Sequence, residues 1–210
     1  MIDSIIFDLD GTLWDTTHIG AQTWSEAASI YHIPNKVTTD QLKSLYGLPT
    51  NIIAKELFPT ATEEVLLAIM QESNKKECQY LEKDGGILFP RLLETLNELK
   101  KKNYRLFIVS NCEDGYIQSF IKGNQLEGYF EDFECPGRTG LSKADNIRMI
   151  IDRNHIKNPI YVGDTVLDAA SSKEVGIPFV YARYGFGNVE KFDEVINSLS
   201  ELNQLTLLKN

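Results

Sequence analysis

Basic residues are the minority in this 210-residue chain. Twenty-one Lys and Arg stand against 30 Asp and Glu, a formal net charge of −9. No net basic face is available to displace counterions from nucleic acid, and none to dock on an anionic membrane. A local site can still attract a small anion against the global charge. Cysteine is scarce as well. Cys78, Cys112 and Cys135 are odd in number, widely spaced and without a C-x-x-C pair, which excludes a disulfide framework or a structural zinc site and points to a reducing compartment. Only three histidines occur, His18, His32 and His155, and they read as surface or packing residues. No run approaches the roughly 20 apolar residues that span a bilayer. Met1-Ile2-Asp3-Ser4 carries no basic segment ahead of a long apolar run, so the reading is a soluble cytoplasmic protein without a signal peptide. There is no low-complexity tract and no repeat.

What is present is 42% hydrophobic residues, enough for an ordinary core. Five short apolar runs read as strands: Ser4–Asp8, Arg105–Val109, Asp132–Cys135, Ile160–Val162 and Phe179–Ala182. Continuous β-rich runs suit a parallel sheet buried on both faces. Helical patterns over Arg91–Lys102, Ala144–Asn154 and Val166–Val175 alternate with them, which predicts an open α/β sheet of Rossmann-like type. More than ninety residues separate the first two strands. That gap reads as helices over Thr17–Tyr31, Thr39–Tyr46, Ile52–Leu57 and Thr62–Leu81, with Thr60-Ala61-Thr62-Glu63 at capping-box spacing before the longest. The expectation is an α-helical cap subdomain at residues 16–84, inserted into a core made of residues 1–15 and 85–210. Asp84-Gly85-Gly86 reads as the returning linker. One continuous domain with extra helices on a sheet edge is the alternative.

Three strands end in polar residues. The first runs into Asp8-Leu9-Asp10-Gly11-Thr12, the second into Ser110-Asn111, and the fourth into Gly163-Asp164-Thr165, with Asp168 beyond. Open α/β sheets bind ligands outside the carboxyl ends of their strands. Asp8, Asp10, Asp164 and Asp168 gathered there would repel one another without a cation, and hard oxygen donors point to Mg²⁺ rather than zinc. Asp8 and Asp10 share one side of an extended backbone and can divide labour as nucleophile and general acid/base. Each motif alone has a plainer reading: a strand-to-turn transition, a turn, a helix start. The combination, its order and its strand-end placement carry the chemical reading.

These motifs resemble those of the haloacid dehalogenase-like (HAD) phosphohydrolases. Asp8-Leu9-Asp10-Gly11-Thr12 is similar to the family's first motif, Val109-Ser110-Asn111 to its second, and Gly163-Asp164-Thr165-Val166-Leu167-Asp168 to its fourth. An insert after strand one resembles the type-one cap of the phosphoglycolate phosphatase and β-phosphoglucomutase branch. The resemblance implies a Mg²⁺-dependent phosphatase acting on a small phosphorylated metabolite, phosphoglycolate-like or a sugar phosphate, through an aspartyl-phosphate. Asp8 would be the nucleophile and Asp10 the acid/base. Asp8, Asp164 and the Asp10 carbonyl would hold Mg²⁺, and Asp168 would support that shell or orient a lysine. Ser110, Asn111 and Thr12 would bind phosphate, with Thr12 also placing Asp10.

The family's third motif supplies a lysine, commonly in a Lys-Pro segment that this chain lacks. In Gly137-Arg138-Thr139-Gly140-Leu141-Ser142-Lys143, Lys143 at a helix start is the candidate and Arg138 its rival. Dehalogenases of the family lack the second acid, so Asp10 favours phosphorus chemistry. Mutases of the β-phosphoglucomutase type carry a cap His ten residues after that acid. Gly20 stands there, which argues for a phosphatase over the mutase alternative. A non-enzymatic HAD-fold binding protein is the third reading, and retention of all four motif residues argues against it. Trp14 and Gly47 are the possible cap or substrate residues, the latter in Tyr46-Gly47-Leu48-Pro49. Cys112 has no adjacent activating group and receives no role.

Overall fold

Strands that are apolar on both sides must be covered on both sides, and that demand sets the architecture. The computed structural model describes residues 1–34 and 36–208. The chain order begins with β1 (Ser4–Phe7), β2 (Trp14–Asp15) and the helices α1 (Thr17–Ile30), α2 (Thr39–Leu45), α3 (Thr50–Leu57) and α4 (Glu63–Asp84). It continues with β3 (Ile87–Leu88), α5 (Leu92–Lys101), β4 (Arg105–Val109), α6 (Tyr116–Gly123) and β5 (Asp132–Glu134). Then come α7 (Pro136–Thr139), α8 (Lys143–Arg153), β6 (Pro159–Gly163), α9 (Val166–Val175), β7 (Phe179–Ala182) and β8 (Glu194–Ile196), followed by two short 3₁₀ turns.

Six strands form one parallel sheet in the order β5-β4-β1-β6-β7-β8. The expected α/β fold is therefore present. β1 is central: Phe7 stands opposite Ile108 of β4 and Val162 of β6. The Asp8 amide continues that ladder with a 2.8 Å bond to the Val162 carbonyl. One apolar cluster, with Phe7, Leu96, Ile108 and Phe120, covers one face of the sheet, and a second, with Ile6, Phe107, Ile147 and Tyr161, covers the other.

A third cluster is confined to α1–α4 and their connections, built on Trp24, Leu42, Ile53, Phe58 and Ile69. The chain leaves the sheet through β2 and returns through β3, and these two passages pair antiparallel, Trp14 with Leu88 and Asp15 with Ile87. Ile19 and Leu81, near the ends of α1 and α4, pack with the sheet-side cluster instead. Among the described residues no helix is long and apolar enough to cross a membrane.

Several local expectations need correction. The capping box expected at Thr60–Glu63 does not form. Thr62 caps α4 by accepting from the Val65 amide, and boxes occur instead at Thr38/Gln41 and Thr165/Asp168. α4 runs to Asp84, three residues past its expected end, and stops where Gly85 turns the chain. α6, β2, β3 and β8 had no sequence-based expectation. The pairs β2 and β3 are two residues long, too short for any periodicity.

Candidate active site

The register of β1, β4 and β6 brings Asp8, Ser110 and Asp164 to one edge of the sheet. Asp8, Asp164 and Asp168 place carboxylate oxygens within 4.8 Å of one another, and all three are buried. Lys143, on the first turn of α8, reaches into this cluster. Its Nζ lies 2.7 Å from Asp8 Oδ1 and 2.6 Å from Asp168 Oδ1. Burial alone would depress the ammonium, but the two carboxylates override it and raise its pKa well above the usual lysine value. Arg138, the rival cation, turns away. It lies 3.8 Å from both Asp114 and Glu134, over the Phe133 ring, and makes no contact with the four aspartates.

Burial dominates the carboxyl groups. It pushes Asp8 up to about 6 despite Lys143, and Asp10 up to about 7. Asp164 is pushed well above the carboxylate range by burial and by the Asp168 and Asp8 charges. Asp164 sits where it does because of two glycines. Gly11 adopts φ +79°, and a Cβ there would lie 2.3 Å from Asp164 Oδ2. Gly185 leaves equal space on the other side, and the Phe186 amide donates to Asp164 Oδ2 at 2.6 Å.

Asp168 has both oxygens engaged. Oδ1 receives Lys143, and Oδ2 receives the Thr165 amide at 2.9 Å and its hydroxyl at 2.7 Å. It therefore aims Lys143 and closes the start of α9. Below it the buried Tyr161 hydroxyl donates to the Val109 carbonyl at 2.6 Å, tying β6 to β4 at the strand ends.

Asp10 faces the other way. Its Oδ1 accepts from the Tyr116 hydroxyl at 2.8 Å and from Thr16 Oγ1 at 3.1 Å. Thr12, expected beside phosphate and Asp10, is fully buried and donates instead to Asp164 Oδ1 at 3.4 Å, so its hydroxyl belongs to the Asp164 support. Trp14, a possible pocket residue, is also fully buried. It packs edge-on against Tyr116 and Phe120 at 5.4 and 4.8 Å and lines no part of the chamber beneath α1–α4. Its position is set by the β2–β3 pairing.

Gly47 lies against the site. It has φ +93°, and a Cβ there would meet the Thr165 methyl at 2.6 Å, so the α2–α3 turn rests on the start of α9. The Asn111 side chain donates to the Gly47 carbonyl at 2.9 Å, linking the helical layer to the end of β4. A small cavity of about 50 Å³ lies between them, lined among others by Asp10, Tyr46, Gly47, Glu77, Asn111 and Tyr116. A larger groove of about 750 Å³ between α9 and residues 188–193 is lined by none of the four aspartates. His18, His32 and His155 are all exposed. The three cysteines are free, and burial pushes the Cys112 thiol well up, which keeps it protonated.

Thr16, Tyr116, Tyr161, Glu77 and the Gly185–Gly187 turn went unmarked in the sequence. A Gly-x-Gly following a strand was the signal available for the last. Nothing local announces the others: Thr16 and Tyr161 lie near the motifs with no pattern of their own, and Glu77 and Tyr116 come from elements distant in the chain.

A family model described as haloacid dehalogenase-like hydrolase matches residues 5–182. The chain belongs to this family. Relatives of the HAD-like hydrolase include a phosphoglycolate phosphatase from Rhodobacter capsulatus, 25% identical over 89% of this chain and 86% of that protein. Another, from Vibrio vulnificus, is 25% identical over 99% of this chain and 97% of that protein. The fold matches a haloacid dehalogenase-like hydrolase structure from Bacteroides fragilis with a TM-score of 0.85 and 24% identity, covering 96% of this chain and 100% of that one. The expected family and hydrolase class are thus borne out.

Proposed function

We propose that this HAD-like hydrolase is a Mg²⁺-dependent phosphatase that cleaves a small phosphorylated metabolite through an aspartyl-phosphate on Asp8. The observation that carries the reading is the division of labour between two buried acids. Asp8 is held 2.7 Å from the Lys143 ammonium, while Asp10, with its pKa up to about 7, hangs from Tyr116 and Thr16. One acid faces a cation and suits an anionic nucleophile. The other keeps a proton near neutrality and suits a general acid. The relatives named phosphoglycolate phosphatase support phosphate chemistry.

In the first half-reaction an Asp8 carboxylate oxygen attacks phosphorus and the bond to the leaving oxygen breaks. Asp10 delivers its proton to that oxygen. In the second, Asp10 takes a proton from water, the water oxygen attacks the same phosphorus, and the phosphorus–oxygen bond to Asp8 breaks to release phosphate and the free carboxylate. Lys143, the Ser110 hydroxyl and the Asn111 amide would hold the phosphate oxygens. Residues 16–84 would act as a cap that excludes bulk water.

The donor set fits a hard divalent cation. It is all oxygen and buried. Asp168 is already held by Lys143 and Thr165, and Asp8, Asp164 and the Asp10 carbonyl would hold Mg²⁺. Bound there, Mg²⁺ would offset the charge between anionic nucleophile and anionic substrate. The mutase alternative loses support at Gly20, which carries no acid/base side chain and packs close to the Tyr46 hydroxyl.

Acid quenching during turnover of a radiolabelled phosphate ester tests the reading. Label is expected on the protein and should be released by hydroxylamine. Turnover should stop with chelator and return with Mg²⁺. Steady turnover with no protein-bound label would remove the aspartyl-phosphate route.

A second expectation concerns Tyr116→Phe. The phenol's hydrogen bond favours ionised Asp10, so its loss leaves Asp10 protonated to higher pH. The basic limb of the kcat/KM profile should move up by roughly half to one pH unit. A limb that stays put or moves down means another group is the acid.

A further inference from the structure

The chamber between the helical layer and the strand ends is chemically lopsided. Lys143 and Ser110 stand on the phosphate side. On the leaving-group side the lining acids are Asp10, Glu77 and Glu113, and the lining contains no Lys, Arg or His. Glu77 enters from the middle of α4 and is 7% exposed. Among the described residues one hydrogen bond reaches its carboxyl, from the Tyr46 hydroxyl at 3.5 Å, the outer limit for such a bond. No cation among the described residues pairs with it. Lys143 is engaged by Asp8 and Asp168, and Lys43, above the Phe186 ring, by Asp15 at 3.4 Å.

A buried carboxyl with one weak partner is an acceptor waiting for a donor. Burial pushes its pKa up to about 8, in keeping with that isolation. Gly20 makes the arrangement possible, since a Cβ there would lie 3.2 Å from Glu77 Oε1 as well as against Tyr46. The cavity itself is small, about 50 Å³, and shares Asn111, Cys112 and Glu113 with a neighbouring one of about 270 Å³.

We propose that Glu77 is a specificity-determining residue, and that the leaving group is a small alcohol carrying a hydroxyl or ammonium donor rather than a carboxylate. This inference rests on the phosphatase reading above and narrows its substrate class. A glycolate leaving group would bring its carboxylate into a wall of acids. Even holding its proton, Glu77 offers such a group one donor and no positive charge. An ammonium or hydroxyl end would satisfy Glu77 directly.

Three esters that differ only in their terminal group test it: phosphoglycolate, ethylene glycol phosphate and phosphoethanolamine. Acetyl phosphate serves as a general probe of hydrolysis. Wild-type kcat/KM should be at least about 10-fold lower for phosphoglycolate than for the other two. Glu77→Gln should lower kcat/KM for phosphoethanolamine by about 10-fold and narrow the gap to phosphoglycolate. Equal or preferred use of phosphoglycolate by the wild type overturns the proposal, and that order needs no variant to fold. Turnover of acetyl phosphate but of none of the three esters overturns it too, as does a Glu77→Gln enzyme that keeps the wild-type gap between phosphoethanolamine and phosphoglycolate. Failure on all four compounds instead removes the phosphatase reading beneath it.

Discussion

Asp8→Asn should lower kcat by at least about 10⁴-fold while the protein stays folded. The amide has the shape of the carboxylate but neither its charge nor its nucleophilic oxygen, so no acyl-phosphate can form. Lys143 keeps its second partner, Asp168, at 2.6 Å, so no cation is stranded. The stability change has a definite sign. Folding raises the Asp8 pKa from 3.8 to about 6, so the native state binds more protons than the unfolded chain between those values. Ionised Asp8 therefore costs stability, and the cost grows as pH rises from 3.8 through about 6. Without added metal, Asp8→Asn should match or exceed the wild type in urea at pH 7.5, with the difference shrinking toward pH 4. Activity within 10-fold of wild type would remove Asp8 as nucleophile. A collapse in stability would mean that Asp8 holds the strand ends together.

Lys143→Met should damage both activity and stability. Lys143 is 4% exposed and is the cation that touches Asp8 and Asp168. Methionine fills much of the volume but leaves three buried carboxyl groups within 4.8 Å and without that charge. Breaking a buried pair from one side typically costs ~3–5 kcal/mol, because the remaining charge is stranded. The linkage runs as for Asp8. The carboxyl pKa values climb further in the variant, so its deficit against wild type should be largest above pH 7 and should shrink toward pH 4. Urea denaturation across pH reads this directly. Excess Mg²⁺ should recover part of the stability, since a divalent cation can neutralise the same oxygens. It should not recover turnover, which is expected to fall about 10³-fold for want of the ammonium on the phosphate. Lys143→Arg is expected to rescue poorly, because a planar fork does not fit a socket shaped for a point charge between two carboxylates. A variant as stable as wild type at pH 8 would show that the acids keep their protons and need no cation.

Much of the machinery was legible because it lies next to regular structure. β4, β7 and α9 match their expected bounds, and the other expected strands and helices shift by a few residues at their ends. Asp8, Ser110 and Asp164 follow strand ends directly, with Asp10 in the turn after β1 and Asp168 in the first turn of α9, so a parallel sheet delivers them to one edge. Lys143 was legible for a related reason: Ser142 caps α8, and the first turn of that helix points at the same edge. Thr12 and Trp14 both sit beside the first motif, where nearness in sequence suggests contact with substrate. The tight turn at Gly11 buries Thr12 under Asp164, and the β2–β3 pair swings Trp14 into the packing between helices.

By itself the sequence determined the strands, the acidic residues that end them and, through the resemblance of its motifs, the class of chemistry, because apolar runs and strand-end positions are local properties. Tertiary structure decided which groups act on which. It brought Lys143 rather than Arg138 to Asp8 and Asp168, gave Asp10 to Tyr116 and Thr16, and set Glu77 in the wall of the small cavity. Those pairings join residues as far apart as 135 positions, Asp8 with Lys143, and depend on how α4 and α6 pack above the strand ends. The chain's acidic surplus takes its meaning there. A net charge of −9 says only what the protein avoids. Burial and the placement of one lysine decide which of its carboxyl groups carry protons, which carry charge, and what they will admit.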